Sequence, residues 1–474
     1  MNIGLTDVRN VVARSALLLA FAAALVLGPQ ATPDPALRAV LPLVAILILL
    51  QFAPIMWLRH PDLFSPPVFS GIVAGFGTAA TLASWYMNGE LSLDLVRGSP
   101  GEELQLLAQK ALVALILGMV CYYLGYYSNL GVWIRRLFPN VRGLVWDRGR
   151  VLIVCFATAT VFVVAYGVFQ SRLGVSLFDI TQLAAGKAVW REDATLSWMM
   201  RGIEIGFLPV ILFLSWTLAK KRGLASLLVP LLILLAMAGL SSRVGQRGPA
   251  LYVVLTILVL FHYHRRRVPV SLFIGMFFVG IVVLNIMLAW RLQLNGEDPD
   301  VNFATLVDEA SDPTTTLAAH EGERQRFSSL ALIMREFPEA HPYLMGQSWA
   351  SIVVAPIPRW LWPDKVEHFP WQDDRIIFQL VGTPTPPPFV GTLYANLSWI
   401  GIVIGTLLLG AVHRGLYEWF QEGNGDQNVV LLYALFLVYF GPSTLNVSMT
   451  MQYVIPMWLI LRFIGRRAPV LVGA

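Results

Sequence analysis

The stretch that decides the fold is residues 227–261, which read LLVPLLILLAMAGL, then SSRVGQRG, then PALYVVLTILVLF. Two apolar runs flank one short turn, and with their neighbouring residues they extend over 223–241 and 248–264. Runs approaching about 20 apolar residues can cross the hydrocarbon core of a bilayer. Backbone groups in lipid must be satisfied within their own segment, so such runs form helices. The stretch therefore predicts two membrane helices joined by a turn that carries Arg243 and Arg247.

The same apolar pattern recurs along all 474 residues, of which 56% are hydrophobic and only 13% are charged. A soluble domain would carry about a quarter charged residues. The sequence predicts an all-α, polytopic integral membrane protein with about 12 transmembrane helices and one large extracytoplasmic loop. The predicted spans are 14–28, 36–58, 68–87, 104–126, 150–169, 198–219, 223–241, 248–264, 268–290, 391–412, 428–446 and 449–464.

The charged loops predict the orientation of these spans. With a cytoplasmic N-terminus, the inside segments are LRHPD, WIRRLFPNVRGLVWDRGR, AKKRG, HYHRRR, HRGLYEW and LRFIGRR. Short basic loops concentrate on the cytoplasmic side of membrane proteins. The same tendency accounts for the net charge of +5 without a nucleic-acid partner, for which the sequence carries no motif. Both termini are therefore predicted in the cytoplasm, and the turn SSRVGQRG is predicted outside.

The large outer loop divides the chain into three predicted regions. Residues 1–290 hold transmembrane helices 1–9, residues 291–389 form the loop, and residues 390–474 hold helices 10–12. A loop of about a hundred residues is far longer than an ordinary connection and usually carries function or disorder. We therefore expect functional residues within it.

An amphipathic helix is predicted in the middle of this loop, within ERQRFSSLALIMREFPEAHPYLMG at 323–346, ending before Pro338. The apolar residues at helical spacing are Phe327, Leu330, Ala331, Met334 and Phe337. Arg324 and Arg335 are about three helical turns apart, so they share one side at the border of that stripe. We expect the helix to lie on the membrane surface or in the mouth of a cavity.

Arginines on the outer side run against the positive-inside tendency, so something other than topology must retain them. They are Arg172, Arg191, Arg201, Arg243, Arg247, Arg291, Arg324, Arg326, Arg335, Arg359 and Arg375. Snorkelling toward headgroups explains Arg172, Arg191, Arg201 and Arg375 most simply. A guanidinium group also grips phosphate oxygens through two hydrogen bonds. Arg243 and Arg247 lie in a turn too short to need charge for solubility, so they indicate a site for a lipid-linked diphosphate.

Other residues suited to chemistry give no single assignment. The candidate general bases near the arginines are His320, Glu321, Glu323, Asp373 and Asp374. The loop tryptophans Trp349, Trp360, Trp362 and Trp371 fit either an interfacial belt or stacking surfaces for sugar rings. No metal site or cofactor is predicted, because Cys121 and Cys155 lie in apolar runs. The sequence shows no phosphate-binding loop for a nucleotide. The energy for any group transfer would therefore have to be stored in the substrate itself.

Three stretches of the second half, within residues 235–412, carry a family resemblance. They are LSSRVGQRGPALYVVL, the segment from Arg335 to Gly346, and PIPRWLWPDK followed by FVGTLYANLSWIGIVIGTLLLG. The second stretch matches an arginine followed by a glycine eleven positions on. In this order, on a many-span chain with one large outer loop, the three stretches resemble the Wzy-type oligosaccharide repeat-unit polymerases, the O-antigen polymerase family.

The resemblance implies a GT-C-like, metal-independent membrane glycosyltransferase of polysaccharide biosynthesis in the bacterial inner membrane, with its active site facing the periplasm. In that family an acceptor sugar hydroxyl attacks the anomeric carbon of a donor oligosaccharide, and undecaprenyl diphosphate leaves. The implied diphosphate-binding residues are Arg243, Arg247, Arg335, Arg359, Arg324 and Arg291. The catalytic candidates are Glu323, Asp373, Asp374 and His320, and the sugar-binding candidates are Trp360, Trp362 and Trp371.

The expected partners are the undecaprenyl-diphosphate-linked oligosaccharide donor and acceptor and the lipid bilayer, and a chain-length regulator is left open. Two other functions remain from the sequence. An O-antigen ligase would use the same donor but pass the glycan to a lipid A core. A transporter or flippase would show inverted repeats with interrupted helices at matching positions, and the sequence shows neither.

Overall fold

The protein is seen here in a computed structural model that describes residues 34–57, 62–93, 96, 101–173, 205–220, 228, 232, 248–269, 272–273, 321–347, 362, 388–440 and 447–467. The helices are α1 (Pro35–Trp57), α2 (Pro66–Asn88), α3 (Gly101–Tyr127), α4 (Leu130–Ile134), α5 (Arg148–Leu173), α6 (Phe207–Ala219), α7 (Gly248–His264), α8 (Glu321–Glu336), α9 (Phe389–Glu422), α10 (Gln427–Tyr439) and α11 (Val447–Ile464). The strands are β1 (Leu144–Trp146) and β2 (Gly465–Arg467), and a 3₁₀ turn follows α4 at Arg135–Leu137.

Five of the described helices are long and apolar enough to cross a membrane, namely α1, α2, α3, α5 and α9. Shorter apolar helices are α6, most of α7, α10 and most of α11. The prediction of an all-α protein with membrane-spanning helices is confirmed at this level. The total of about 12 spans stays a prediction, because 14–28 and nearly all of 223–241 and 268–290 lie outside the described residues.

The chain forms two compact units. Unit 1 comprises Met1–Arg136, Leu317–Glu418 and Gly441–Leu445. Unit 2 comprises Leu137–Thr316, Trp419–Phe440 and Asn446–Ala474. Helix α8, which comes from the predicted outer loop, therefore belongs to the same unit as α1, α2 and α3.

Glycines bring the helices of unit 1 into backbone contact. A Cβ atom on Gly125 of α3 would collide with the carbonyl oxygen of Leu407 in α9, and one on Gly410 would collide with that of Tyr122. Gly71 of α2 meets the carbonyl oxygen of Gln51 in α1 in the same way. Apolar side chains gain little by leaving lipid for protein, so membrane helices associate through such close van der Waals packing.

Helix α9 is a hairpin of two helical arms. Its helical geometry breaks at Leu397 (φ −139°, ψ 25°) and Ser398 (φ 58°, ψ −150°). A Cβ atom on Gly401 would collide with the carbonyl oxygen of Leu393, and one on Gly405 would lie 2.8 Å from Leu393 Cδ1. Residues 393 and 405 would be about 18 Å apart in a straight helix. The short arm (389–396) therefore folds back along the long arm (399–422).

This hairpin corrects the predicted span at 391–412. Hydropathy is continuous across both arms, so the sequence pattern treats them as one continuous helix, whereas the helical geometry breaks at Leu397 and Ser398. Non-helical backbone at membrane depth persists only where protein or water satisfies it. Here Asn396 Nδ2 donates to the carbonyl oxygen of Thr392 (2.7 Å), which ends the short arm.

Polar contacts hold together one end of unit 2. Strands β1 and β2 pair antiparallel, with Val145 opposite Arg466. Asp147 Oδ1 accepts a hydrogen bond from the backbone N–H of Arg150 (3.0 Å), and Asp147 Oδ2 lies 2.8 Å from Arg466 Nη2. The Arg150 hydrogen bond first, and the guanidinium charges of Arg466 and Arg150 after it, hold the pKa of Asp147 below its ordinary value.

A second set of contacts extends this network to the turn between α9 and α10. Arg142 Nη2 donates to Glu422 Oε2 (2.9 Å), and the backbone N–H of Gly143 donates to Asp426 Oδ2 (2.9 Å). Asp426 Oδ1 also caps α10 by accepting from the backbone N–H of Asn428 (2.8 Å). Trp146 Nε1 donates to Asn428 Oδ1 (2.6 Å).

Loops predicted on one side of the membrane meet within each unit. In unit 2, β1 of WIRRLFPNVRGLVWDRGR pairs with β2 of LRFIGRR, and Arg265 Nη2 donates to the carbonyl oxygen of Thr217 (3.0 Å) near AKKRG. In unit 1, Tyr417 of HRGLYEW donates to Asp62 Oδ2 of LRHPD (3.1 Å). These contacts agree with the predicted sidedness of the loops. The compartment that this side faces stays a prediction.

Candidate functional site

Most of the predicted site residues lie outside the described residues. These are Arg243, Arg247, Arg291, Arg359, His320, Asp373, Asp374, Trp360 and Trp371. Glu323 and Arg324 lie in helix α8, but their side chains are outside the described part of the chain. Arg335 at the end of α8 and the half-buried Trp362 are described. The diphosphate-binding role of the six arginines therefore stays a prediction.

The predicted amphipathic helix is confirmed by α8. Its predicted stripe is buried, with exposed fractions of 9% for Phe327, 0% for Leu330 and Ala331, 4% for Met334 and 1% for Phe337. The helix packs against α2 and α3, and the rings of Phe327 and Trp85 meet edge to face with centroids 5.4 Å apart. The helix is therefore part of the hydrophobic core of unit 1.

Helix α8 lies where α1 begins, α2 ends and α3 begins. Its apolar side chains share one core cluster with Leu91, Leu93 and Val96 of the loop after α2. The same loop is tied to the start of α1, because the backbone N–H of Leu91 donates to Asp34 Oδ2 (2.7 Å). In the predicted topology this end faces the outer side, which agrees with the placement of α8 in an outer loop.

Arg335 forms an ion pair with the neighbouring residue of its own helix. Its Nε and Nη2 atoms lie 2.9 Å and 2.8 Å from Glu336 Oε1, and a third of the Arg335 side chain is exposed. A partly exposed pair of this kind contributes little to stability. The guanidinium can therefore exchange its partner for an anionic ligand at little cost.

The segment from Arg335 to Gly346 leads directly to the tip of the α9 hairpin. The backbone N–H groups of Leu344 and Met345 donate to the carbonyl oxygens of Ala395 and Asn396, each at 2.9 Å. These carbonyls lie where the short arm ends, so they lack the helical partners that a continuing helix would supply. Two stretches that are about 50 residues apart in the sequence thus form one structure.

Aromatic side chains surround the same tip. Tyr343 Oη donates to Ser398 Oγ (3.1 Å), and Tyr394 Oη donates to the carbonyl oxygen of Phe337 (3.4 Å). The rings of Tyr343 and Tyr394 meet edge to face at 5.9 Å, and those of Tyr394 and Trp399 do so at 5.8 Å. The tip of the hairpin is therefore fixed to the end of α8 by both hydrogen bonds and ring contacts.

A cavity of about 170 Å³ lies within unit 1 between α1, α2, α3, α8 and both arms of α9. Its α2 wall runs from Ser70 to Trp85, a distance of about 22 Å along a helix. Among the described residues that line it, Arg326 of α8 alone carries a formal charge. Aliphatic side chains such as Leu47 and Leu115 form much of the remaining wall.

The two ends of this cavity differ in polarity. Arg326 and Trp85 lie at the end covered by α8, whereas Gln51, Ser70 and Tyr122 lie toward the other end. Tyr122 Oη and His413 Nδ1 are 2.9 Å apart. Gln51 Nε2 donates to Thr78 Oγ1 (2.9 Å), while Gln51 Oε1 has no hydrogen-bond partner within the described part of the chain.

These polar groups are uncommon at membrane depth and are costly there unless they are paired or wet. Within the described residues, no cluster of His, Cys, Asp and Glu is placed to hold a metal ion. Because most of the described cavity wall is apolar and Arg326 carries a positive charge at one end, the cavity is suited to binding a mainly apolar molecule that carries a negative group at one end.

Comparisons with known proteins place the chain in no family. No protein-family model matches it, and searches of curated proteins and of solved structures give no significant match. The resemblance to repeat-unit polymerases thus depends on the three quoted stretches alone.

Sequence reasoning missed two features of this region. The sequence predicts Arg326 on the outer side but assigns it no role, because its position on the cavity wall depends on how α8 packs. The α9 hairpin is not predicted because the sequence is apolar on both sides of the reversal, apart from the residues at the tip. Asn396, Ser398 and Gly401 in ANLSWIG were its only local signal, since polar residues and glycine favour breaks over continuous helix.

Proposed function

We propose that the protein is a membrane glycosyltransferase that joins undecaprenyl-diphosphate-linked oligosaccharide repeat units into a polysaccharide at the outer face of the bacterial inner membrane. The main support is the contact between two of the family-like stretches. Leu344 and Met345, in the Arg335–Gly346 segment, bond to Ala395 and Asn396 in FVGTLYANLSWIG. Stretches that resemble one family and meet in space favour a shared functional role.

The proposed reaction is a glycosyl transfer. An acceptor sugar hydroxyl attacks the anomeric carbon of the donor while the bond from that carbon to the diphosphate oxygen breaks. The hydroxyl proton passes to a base, for which the candidates are Glu323, Asp373, Asp374 and His320. Undecaprenyl diphosphate leaves with the bonding electron pair, so negative charge grows on its oxygen.

Arginine side chains would stabilise that growing charge. Placed in advance around the diphosphate, guanidinium groups supply the electrostatic stabilisation that such a leaving group needs. The proposed set is Arg243, Arg247, Arg335, Arg359, Arg324 and Arg291. Trp360, Trp362 and Trp371 would stack on sugar rings. The activation stored in the glycosyl diphosphate would drive the reaction without a nucleotide.

The decisive experiment is to remove the protein from its cell and identify the lipid-linked intermediates. We expect undecaprenyl diphosphate carrying one complete repeat unit to accumulate and long polymer to disappear. Loss of glycan from lipid A with polymer retained on undecaprenyl diphosphate would instead identify a ligase. Unchanged glycolipids would refute both transferase functions.

A variant test addresses the arginines. Arg243→Ala and Arg335→Ala should each abolish long polymer while the protein still inserts in the membrane. Arg172→Ala, at the exposed end of α5, is the matched control and should leave polymer length unchanged. Glu336→Gln separates ligand binding by Arg335 from its ion pair, because only a structural role predicts equal loss from both substitutions. Full polymer from both Arg243→Ala and Arg335→Ala would refute their assignment.

A further inference from the structure

We propose that the cavity of unit 1 binds the isoprenoid chain of a polyprenyl phosphate or diphosphate, with the anionic group at Arg326. The inference takes the identity of the lipid from the proposed function. The preference for a single chain with an anionic end follows from the cavity itself. Arg326 belongs neither to the arginines named for the transfer reaction nor to the segment from Arg335 to Gly346.

The shape of the cavity fits one hydrocarbon chain. A volume of about 170 Å³ distributed along a wall from Ser70 to Trp85 makes a long and narrow space. For comparison, an engineered cavity of about 150 Å³ holds one benzene molecule, so this cavity takes roughly one or two isoprene units of a single chain, those nearest the anionic group. A diacyl lipid would need room for two chains, so a lipid with a single chain is the better fit.

The wall also suits the branched form of that chain. Small residues line the cavity on two helices, with Ala74 and Gly77 on α2 and Gly118 on α3. A Cβ atom on Gly118 would lie 3.3 Å from Val390 Cγ2 and 3.4 Å from Thr406 Cγ2, so this glycine lets α3 pack closely against α9 beside the cavity. The small residues Ala74 and Gly77 leave room on the α2 wall for the methyl branches of isoprene units.

Charge defines which end of the lipid lies under α8. Arg326 is half-buried at the end where Trp85 and Phe327 line the cavity. A guanidinium beside a low-dielectric space binds phosphate oxygens more strongly than one in water. The opposite end presents Gln51 Oε1, which needs a hydrogen-bond donor. A hydrocarbon chain cannot supply that donor, so the chain should stop short of Gln51.

The test is equilibrium binding of radiolabelled farnesyl diphosphate to the full chain in nanodiscs, with binding to empty nanodiscs subtracted. Arg326→Gln should raise Kd at least about tenfold, since a hydrogen-bonded charge is lost. Lys110→Gln is the matched control, because Lys110 lies exposed on the neighbouring α3 and away from the cavity. It should leave Kd unchanged. Equal effects of the two substitutions would overturn the role of Arg326.

Two substitutions that fill the cavity test the site of the chain. Ala74→Phe and Leu115→Phe lie on different helices of the wall, so failure of one variant to fold leaves the other. Each should weaken binding of both farnesyl diphosphate and farnesol. The Kd of farnesol should be unchanged by Arg326→Gln, because farnesol has no anionic group for Arg326 to bind. Unchanged binding in a folded cavity-filled variant would place the lipid elsewhere and refute the proposal.

Dioleoyl phosphatidic acid tests the preference for one chain. It should compete for the site at least about tenfold more weakly than farnesyl diphosphate, and equal competition would overturn the single-chain assignment. The lipid site and the proposed reaction can fail separately. Binding as expected without accumulation of lipid-linked repeat units would leave the site intact and reject the reaction. Accumulation of lipid-linked repeat units without the expected binding pattern would support the reaction and reject the lipid site.

Discussion

Unit 1 and unit 2 are built from similar apolar helices, but their described polar groups have different arrangements. In unit 2 the polar side chains at one end bond mainly to each other, as in Asp147 with Arg466 and Arg142 with Glu422. In unit 1 they fix a helix reversal at Ser398 and line a cavity that contains Arg326. A network closed on itself stabilises a fold, whereas polar groups directed into a cavity can serve a ligand. Within the described residues, unit 1 therefore offers the cavity that a ligand could enter.

The largest effect should come from the backbone contact that holds unit 1 together. Gly125→Val puts side-chain atoms where the backbone of Leu407 lies, which should cost about 3 kcal/mol or more because backbone cannot move aside cheaply. We expect loss of monodisperse protein after detergent extraction, measured by size-exclusion chromatography. Gly167→Val in α5 has open space around it and should behave like the parent. Equal behaviour of both variants would contradict the contact.

A smaller effect is expected from the closed network of unit 2. Asp426→Ala removes the cap of α10 and the acceptor for Gly143, which should lower the free energy of unfolding by about 2 kcal/mol. A thermal shift in detergent measures the change. Asp426→Asn keeps an equivalent cap and should lose much less. An alanine variant as stable as the asparagine variant would show that the cap is dispensable.

The tip of the hairpin in unit 1 should respond more locally. Tyr343→Phe removes the hydroxyl that donates to Ser398 but keeps the ring, so about 1 kcal/mol should be lost. Hydrogen exchange at the N–H groups of Leu344 and Met345 should become faster. Tyr417→Phe removes a hydroxyl bonded to Asp62 elsewhere in unit 1 and should not change exchange at these two sites. Identical exchange in all three proteins would argue against the tip contact.

The smallest effect is a pH dependence in unit 2. The pKa of Asp147 is lowered in the folded protein, so its stabilising contribution is present above its unfolded pKa of about 3.9. That contribution should be lost as pH falls through the folded value. Asp147→Asn should be slightly less stable than the parent at pH 7, and the difference should vanish in acid. Melting curves at several pH values check this. A difference that grows in acid would have the wrong sign.

Much of the fold could be predicted from the sequence because hydropathy and helical spacing are local properties. The buried stripe of α8 from Phe327 to Phe337 was predicted residue by residue. The α9 hairpin could not be predicted, because hydropathy does not distinguish two packed arms from one long helix. Its reversal depends on Leu344 and Met345, which are more than 40 residues away.

The candidate site was less predictable than the fold. Arg326 and Arg335 look alike in the sequence, and only packing decides which of them faces the cavity. Helix α8 places Arg326 on the cavity wall and pairs Arg335 with Glu336. Gln51 and Tyr122 could not be chosen in advance, because they belong to α1 and α3 and meet the cavity only after the helices pack.

The pairing of β1 with β2 has a consequence for biosynthesis. Arg150 Nη1 donates to the carbonyl oxygen of Phe463, a residue 313 positions later in the chain. A ribosome must therefore finish α11 before the segment around Trp146 finds its partner strand. Until then β1 and the Arg150 side chain lack these hydrogen-bond partners. The order of translation thus leaves the contacts of β1 and Arg150 with the end of the chain to form last.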